Sequence, residues 1–291
     1  SARYTVPNPP LPRADRILYL PMVCPRKNMQ RLPGSIARLV YNCRMVPRLY
    51  VPSLAPGART ATLPPDEADH VRRVLRARVG SPVRVFDGRG AEREARVDSL
   101  EGRTVTVVLG DAVAPARECR VSVTLGVAVL KGEKTDAVVR DAVMMGVAAL
   151  QPMLTDRSDL PPAAVARGTR LDRWRRIAVA SAKQCGRAVV PEVFAPSSLP
   201  ECLARHRRDA GVVLVEPSSE GLARARRPVP RAPASALVLV GPEGGWTRGE
   251  VDAAVASGCA AVTLGPRTLR ADAVPVVALC VLWHYWGELI V

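Results

Sequence analysis

The sequence predicts an α/β protein in which a small β-barrel precedes a parallel sheet covered by helices. Two observations carry this prediction. From Met45 to about Val113, short runs of strand-forming residues are separated by glycine-containing turns, which is typical of short strands around a small core. Beyond Ala114-Pro115-Ala116, continuous apolar strands alternate with helical patterns, which is typical of a parallel sheet with helices on both faces.

The barrel is predicted to contain several short strands and one helix. The helix covers Asp66–Ala77, because Ala68, Val71 and Leu75 fall on one helical face. The predicted strands are Arg48–Val51, Val83–Phe86, Ala95–Val97 and Thr104–Leu109.

The second part of the chain is predicted to alternate between strands and helices. The strands are Val121–Leu130, Gln151–Leu154, Val212–Val215, Ala236–Val240 and Ala261–Leu264, and the helices are Thr135–Gly146, Leu171–Lys183, Thr247–Ser257 and Ala271–Trp286. Thr247 and Glu250 have the spacing of a capping box, which marks where the third of these helices begins. The segment Pro217–Pro233 is rich in proline and arginine, which predicts a basic loop outside the sheet.

Composition excludes several classes of protein. Hydrophobic residues make up 48% of the 291 residues and charged residues 24%, a balance that supports a buried core. The longest apolar run near the C-terminus, Ala273–Trp283, is shorter than the roughly 20 residues that a membrane helix needs, so no membrane partner is expected. Seven cysteines without a CxxC pair and three isolated histidines indicate neither a disulfide framework nor a metal site. They favour a reducing, cytoplasmic location.

The net charge of +15 predicts a polyanionic partner, with nucleic acid the leading candidate, although arginine richness also reflects genomic base composition in some proteins. Residues 1–44 carry about half of this excess, and their many prolines predict a poorly ordered extension. Three interpretations of this extension stay open. It is an organelle transit peptide, a basic RNA-binding arm, or the result of a start codon assigned too early, in which case the chain opens at Met45. The third is favoured.

Two glycine-containing loops follow strands of the second part. In Val240–Trp246, the Gly-Pro-Glu-Gly-Gly run lets the backbone approach a ligand at the carboxyl end of a strand, where α/β sheets bind ligands. Taken alone, this pattern is more typical of an ordinary strand-to-helix turn. In Leu264–Arg270, Arg267 and Arg270 either hold a phosphate or an anionic base, or are simply solvated.

Other polar residues at the ends of apolar elements are weaker candidates. Lys131, Arg157 and Arg187 each suit a functional site, but each equally suits a helix cap or the protein surface. His70 is placed to reach RNA from the barrel, although a hydrogen-bonded structural histidine is somewhat more common.

Taken together, these loops and several further motifs resemble the RsmE family of the SPOUT superfamily, which methylates N3 of a uridine in 16S ribosomal RNA. The motifs agree in order and spacing and begin at Met45–Pro52, so the resemblance covers residues 45–291. They are the run Leu237–Trp246, the loop Leu264–Arg270, Gln184–Arg187 with Pro191–Val193, Lys131–Lys134, Thr155–Ser158, Arg173-Trp174, and His70 with Val74–Arg76.

The resemblance implies a PUA-like RNA-binding β-barrel over residues 45–115. It also implies a SPOUT methyltransferase domain over residues 120–291, whose parallel sheet has helices on both faces and a deep C-terminal trefoil knot. S-adenosylmethionine (SAM) is the expected cofactor, and the expected partner is a second copy of the chain in a homodimer. The expected substrate is a uridine near the decoding site of small-subunit rRNA in the assembled 30S subunit, methylated during ribosome maturation.

The resemblance also assigns roles to single residues. The expected cofactor contacts are Gly241, Pro242, Glu243, Gly244, Gly245, Leu264, Gly265 and Leu269. The expected catalytic residues are Arg187, Arg267 and Arg270, since a guanidinium beside the uracil carbonyls favours the N3 anion. The expected RNA contacts are His70, Arg76, Lys131 and Arg157. No general base is assigned, because His70 lies in the barrel rather than beside the knot loops.

The sequence departs from the family pattern at a few positions. Asp141 and Met144 stand where the family commonly has lysine and glutamate, and Ala180 and Asp272 stand where it commonly has glutamate. Activity is expected because Glu243, Arg187 and Arg270 remain. Two alternatives stay open: a SPOUT methylase of another RNA such as tRNA, and a catalytically silent RNA-binding or ribosome-assembly protein.

Overall fold

The computed structural model describes residues 46–158, 169–206, 208–217, 229–231 and 233–289. The predicted extension over residues 1–44 and most of the predicted loop Pro217–Pro233 lie outside the described residues. None of the helices in the described ranges is long and apolar enough to span a bilayer.

The first sheet is built from short strands whose inward residues form one small core. The strands are β1 (Arg48–Tyr50), β2 (Thr60–Thr62), β3 (Pro82–Phe86), β4 (Glu92–Ser99) and β5 (Thr106–Ala112), in the spatial order β1-β3-β4-β5-β2. The pair β1–β3 is parallel and the other pairs are antiparallel. Alternate residues such as Leu49, Val85, Val97 and Val107 are fully buried, as expected for strands with one face on a core.

The predicted barrel strands are confirmed to within a few residues, and the predicted helix is confirmed only in part. Helix α1 (Pro65–Asp69) continues as a π-helical turn over His70–Val74, closed by a hydrogen bond from the Leu75 amide to the His70 carbonyl. Arg76 follows with a positive φ of 48°, which ends the helix before the predicted Ala77. Strand β2 was not predicted, because three edge residues with no buried member carry no alternation.

The second sheet is entirely parallel and lies between two layers of helices, as predicted. Its strands are β6 (Ser122–Ala128), β7 (Ala149–Leu154), β8 (Glu192–Val193), β9 (Ser197–Ser198), β10 (Ala210–Leu214), β11 (Ser235–Val240) and β12 (Cys259–Val262). The spatial order is β12-β10-β11-β6-β7-β8, with β9 also paired to β7. The helices are α2 (Lys134–Met145), α3 (Thr169–Cys185), α4 (Leu199–Arg205), α5 (Arg248–Ala256) and α6 (Val274–Tyr285).

Each face of this sheet is buried against its own helices. On one face Val238 packs in a core that includes Trp174 of α3 and Trp283 of α6. On the other face Leu237 and Leu239 pack with α4 and α5. Because both faces are covered, the central strands are continuous apolar runs without alternation.

Every predicted strand and helix of the second part is present, with ends that differ by up to three residues. The predicted capping box is confirmed, since the Thr247 hydroxyl accepts from the Glu250 amide and the Glu250 side chain accepts from the Thr247 amide. Helix α6 begins at Val274 rather than Ala271, with Pro275 in its first turn, where proline is tolerated. Strands β8 and β9 and helix α4 were not predicted. Helix α4 has its own capping box from Ser198 to Glu201, a signal that was available in the sequence.

The barrel is tied to the end of helix α3 by buried charged groups. Arg48 forms a 2.7 Å ion pair with Glu92, and its guanidinium also donates to the carbonyls of Ala182, Lys183 and Arg187. These carbonyls belong to the last turn of α3 and the residues after it, where helix carbonyls lack intrahelical partners. Arg48 therefore joins β1 of the first sheet to the second part of the chain.

Candidate active site

A cleft of about 520 Å³ opens at the carboxyl ends of β10, β11 and β12. This edge of a parallel sheet is where α/β folds bind ligands, and the volume is that of a small-molecule site. Three loops line it, one after each strand, together with residues from the start of α2 and the loop after β7. Among the residues that line it are Lys134, Arg157, Glu216, Gly241, Pro242, Glu243, Gly244, Gly245, Trp246, Leu264, Arg267, Leu269, Arg270 and Asp272.

The structure brings together most of the residues predicted to hold a cofactor. Seven of the eight line the cleft: Gly241, Pro242, Glu243, Gly244, Gly245, Leu264 and Leu269. Gly265 does not; it is exposed, with φ +85°, and its carbonyl accepts from the Thr263 hydroxyl in a turn. Gly265 therefore shapes the loop rather than the wall of the cleft.

The glycines of the loop after β11 are required by close packing. A Cβ on Gly241 would lie 3.0 Å from the indole of Trp246, whose Nε1 donates to the Leu214 carbonyl at 2.9 Å. A Cβ on Gly244 would lie 3.1 Å from the Cβ of Arg157 and 3.2 Å from its carbonyl oxygen. Gly245 has φ +69°, which favours glycine. Side chains at these positions would crowd Trp246 or Arg157 or strain the backbone, so the shape of the loop favours glycine.

Arg157 supports this loop from outside. Its Nη1 donates to the carbonyls of Gly244 and Trp246, both at 3.2 Å. The neighbouring Asp156 amide donates to Glu250 Oε1 at 3.0 Å, which ties the loop after β7 to the cap of α5. Arg157 was predicted to contact RNA; it is exposed, and the structure gives it a bracing role as well.

Two ion pairs lie on the wall of the cleft. Lys134 Nζ donates to Glu243 Oε1 at 2.7 Å, and the Lys131 amide donates to the same oxygen at 3.4 Å. Partial burial raises the pKa of Glu243, but these hydrogen bonds outweigh it and hold the pKa below its ordinary value. Across the cleft, Arg270 forms a two-bond contact with Asp272 at 3.0 and 2.9 Å, and the hydrogen bond from Arg270 lowers the pKa of Asp272. Both carboxylates are therefore ionised at neutral pH.

The three arginines predicted to be catalytic are not brought together. Arg267 and Arg270 line the cleft and are exposed. Arg187 is buried, and its guanidinium donates to Glu118 and to the carbonyls of Val143 and Val147 at the end of α2. Arg187 does not line the cleft, and all three nitrogens of its guanidinium are engaged by Glu118 or by carbonyls at the C-terminus of a helix.

The residues predicted to contact RNA are spread over the surface. His70 begins the π-helical turn in the barrel, Arg76 lies two residues beyond its end at Val74, and neither lines the cleft. Lys131 is exposed beside the start of α2, and its backbone amide rather than its side chain contacts Glu243. Arg76 and Lys131 are exposed, whereas His70 is half-buried.

Several residues of the cleft were not predicted as site residues: Lys134, Glu216, Trp246 and Asp272. Glu216 and Asp272 each had a visible signal. Glu216 is a charged residue directly after the apolar run of β10, and Asp272 was recognised only as a departure from the family pattern. The remaining departures, Asp141, Met144 and Ala180, lie on helices α2 and α3 and do not line the cleft.

Comparison with known families agrees with this architecture. Residues 117–283 match the RNA methyltransferase domain, and residues 63–110 match the RNA methyltransferase PUA domain. The fold and its cleft therefore define an RNA methyltransferase domain preceded by a PUA domain. More particularly, the chain belongs to the ribosomal RNA small subunit methyltransferase E family.

Individual relatives support this membership. The ribosomal RNA small subunit methyltransferase E of Synechocystis is 32% identical over 222 residues, which is 76% of this chain and 71% of the relative. Among solved structures, the family member from Neisseria gonorrhoeae bound to SAM is 29% identical with a TM-score of 0.71, over 83% of this chain and 98% of that one. A methyltransferase from Legionella pneumophila in complex with SAM is 26% identical with a TM-score of 0.75, over 82% of this chain and 97% of that one.

Proposed function

We propose that this protein transfers the methyl group of SAM to N3 of a uridine near the decoding site of 16S rRNA in the 30S subunit. The observation that carries the proposal is the cleft: seven residues predicted as cofactor contacts, from two loops that follow different strands, line it together. Two similar proteins have SAM bound in their structures. The methyl donor supplies an electrophilic methyl group on a sulfonium.

The residues of the cleft fit such a cofactor. The glycine loop carries no side chain at Gly241, Gly244 or Gly245, so its backbone groups are open to a ligand, and a Cβ at Gly241 or Gly244 would crowd its neighbours. The volume of about 520 Å³ accommodates a nucleoside with an amino-acid tail. Leu264 and Leu269 add apolar surface against which a flat base packs.

The exposed arginines fit the substrate side of the reaction. N3 of uridine is a weak acid and is a nucleophile only after it loses its proton. A guanidinium beside the uracil carbonyls stabilises the resulting anion. Arg267 and Arg270 line the cleft, and within the described ranges neither guanidinium donates a hydrogen bond to a backbone carbonyl. Holding the anion in line with the donor methyl supplies much of the remaining rate. In this proposal Arg187 stabilises the fold and does not contact the substrate.

We assign the barrel, residues 45–115, to RNA binding and residues 120–291 to a SPOUT domain with a C-terminal trefoil knot. His70, Arg76, Lys131 and Arg157 are the proposed RNA contacts, supported by the exposure of the two arginines and the lysine, whereas His70 is half-buried. The knot is supported by the position of β10 between β11 and β12, which places the loops Gly241–Trp246 and Leu264–Arg270 around the same cleft.

We further propose a homodimer through helix α6 and the end of α2. Val277, Val281 and Tyr285 of α6 and Met144 of α2 are large apolar side chains that are 37–52% exposed. Exposed apolar residues grouped on packed helices are typical of a protein interface. Met144 stands in place of the family's glutamate and is a further exposed apolar side chain, near the end of α2.

Transfer of labelled methyl from SAM tests the proposed function at the level of the substrate. The full chain is incubated with 30S subunits that lack native methylation, with 50S subunits and with tRNA. Label in the 30S subunit alone supports the proposal, whereas label in tRNA indicates a methylase of another RNA. Absence of label in every RNA, together with absence of SAM binding, contradicts an enzymatic role.

A further inference from the structure

We infer that Glu216 binds the ribose of the cofactor, with its carboxylate accepting hydrogen bonds from the ribose hydroxyls. This inference rests on the proposed use of SAM. It assigns a ligand-binding role to a residue that belongs to neither of the two glycine-containing loops.

The position of Glu216 follows from the order of the strands. Strand β10 lies between β11 and β12, and Glu216 stands two residues beyond its end. The Val215 amide donates to the Val262 carbonyl at 2.9 Å, which anchors the backbone next to Glu216 on β12. Glu216 therefore lies between the loop that follows β11 and the loop that follows β12.

Glu216 also keeps its acceptor capacity. Three carboxylates line the cleft, and two of them are paired: Glu243 with Lys134 and Asp272 with Arg270. Within the described ranges, the Glu216 side chain has no hydrogen bond or ion pair. It is exposed to the cleft, and a Cβ on Gly245 would approach its Oε1 to 3.3 Å. Gly245 and Glu216 are therefore neighbours on the wall of the cleft.

The ribose is the part of the cofactor that fits this position. It is the middle of the molecule, joined on one side to adenine and on the other to methionine, and Glu216 is in the middle of the three loops. A carboxylate is a strong acceptor for the vicinal hydroxyls of a ribose, as acidic residues are in dinucleotide-binding folds. The cationic sulfonium of SAM is the alternative partner for the Glu216 carboxylate. Comparison of SAM with its uncharged thioether product distinguishes the ribose from the sulfonium.

The experiment measures binding by calorimetry on the full chain with Glu216→Ala and Glu216→Gln. The probes are SAM, its thioether product S-adenosylhomocysteine, adenosine and 2′,3′-dideoxyadenosine. We expect Glu216→Ala to weaken SAM and S-adenosylhomocysteine equally, by about 10- to 100-fold, as for loss of hydrogen bonds to a charged group. Glu216→Gln, which keeps an acceptor oxygen, is expected to lose less. The wild type is expected to prefer adenosine over the dideoxynucleoside, and Glu216→Ala to lose that preference.

A control variant and a folding check separate loss of the ribose contact from other causes of weak binding. Glu101→Ala, a carboxylate deletion in an exposed turn of the barrel, is the matched control and should bind like the wild type. Thermal unfolding shows whether each variant is folded. Unchanged binding of S-adenosylhomocysteine in folded Glu216→Ala overturns the inference, and a loss confined to SAM assigns the carboxylate to the sulfonium instead. A wild-type chain that binds neither ligand overturns the proposed function itself, and this inference with it.

Discussion

Lys134, at the first position of helix α2, and Glu243, in the glycine loop after β11, form a 2.7 Å ion pair on the wall of the cleft. The two residues are far apart in sequence, and β6 and β11, the strands that precede them, are neighbours in the sheet. The ion pair thus links the glycine loop after β11, which we assign to the cofactor, with helix α2, which follows the neighbouring strand β6.

Replacing Lys134 by methionine should weaken SAM binding and should change the stability of the fold only slightly. The pair is partly exposed, so its removal is expected to change the free energy of unfolding by less than about 1 kcal/mol. Since the folded-state pKa of Glu243 is depressed, the pair stabilises the fold above the ordinary carboxylate pKa of 4.5 and loses its effect as pH falls through the folded value. The difference in Tm between wild type and variant should be constant from about pH 6 to 8 and should shrink below about pH 4. A difference that grows on acidification contradicts the assignment.

Gly244→Val should abolish SAM binding while the barrel stays folded. The added side chain must displace Arg157, whose backbone carbonyl lies 3.2 Å from the new Cβ, so the loop after β11 moves. Gly249→Ala in helix α5 is the matched control, because nothing lies within 4 Å of its Cβ position. There alanine is expected to be neutral or to stabilise the helix by up to about 1 kcal/mol. Calorimetry with SAM measures both, and unchanged affinity in Gly244→Val places the cofactor elsewhere.

Arg187→Ala should behave as a stability variant. Its buried guanidinium holds Glu118 and two carbonyls at the end of α2, so truncation should lower the free energy of unfolding by about 3 kcal/mol. The folded fraction should bind SAM like the wild type. Denaturant unfolding and calorimetry check the two statements separately. An intact Tm combined with lost methyl transfer restores a direct role in catalysis.

Arg270→Ala should behave in the opposite way. Arg270 is 75% exposed and its one partner among the described residues is Asp272, two positions away, so stability should hardly change. Methyl transfer should fall by about 100-fold, as for loss of a group that stabilises a developing anion, with SAM affinity little altered. Single-turnover methylation beside calorimetry makes the comparison. Equal losses in both would make Arg270 a cofactor contact instead.

The strands and helices of the second part of the chain could be predicted because their sequence signals are local. Strand β11 is apolar at every position from Ala236 to Val240, as expected for a strand that is covered on both faces. The Thr247–Glu250 capping box marks a helix start without reference to tertiary structure. A single sequence is therefore enough to place these elements.

Residues whose role depends on distant partners were harder to predict. Arg187 looked like an exposed residue after a helix, and its burial depends on Glu118, which is 69 positions away. Glu216 becomes part of the cleft because β10 lies between β11 and β12, and this strand order is not encoded in hydrophobic periodicity. The π-helical turn at His70–Val74 keeps the apolar spacing of an ordinary helix closely enough to be predicted as one.

Mapping of the methylated nucleotide tests the central claim most directly. The full chain and SAM are incubated with 30S subunits that lack native methylation, and the rRNA is digested and analysed by mass spectrometry. The proposed function predicts a single N3-methyluridine in 16S rRNA, near the decoding site. A methyl group on another atom, on another region of the rRNA, or on no nucleotide while SAM is bound would contradict it.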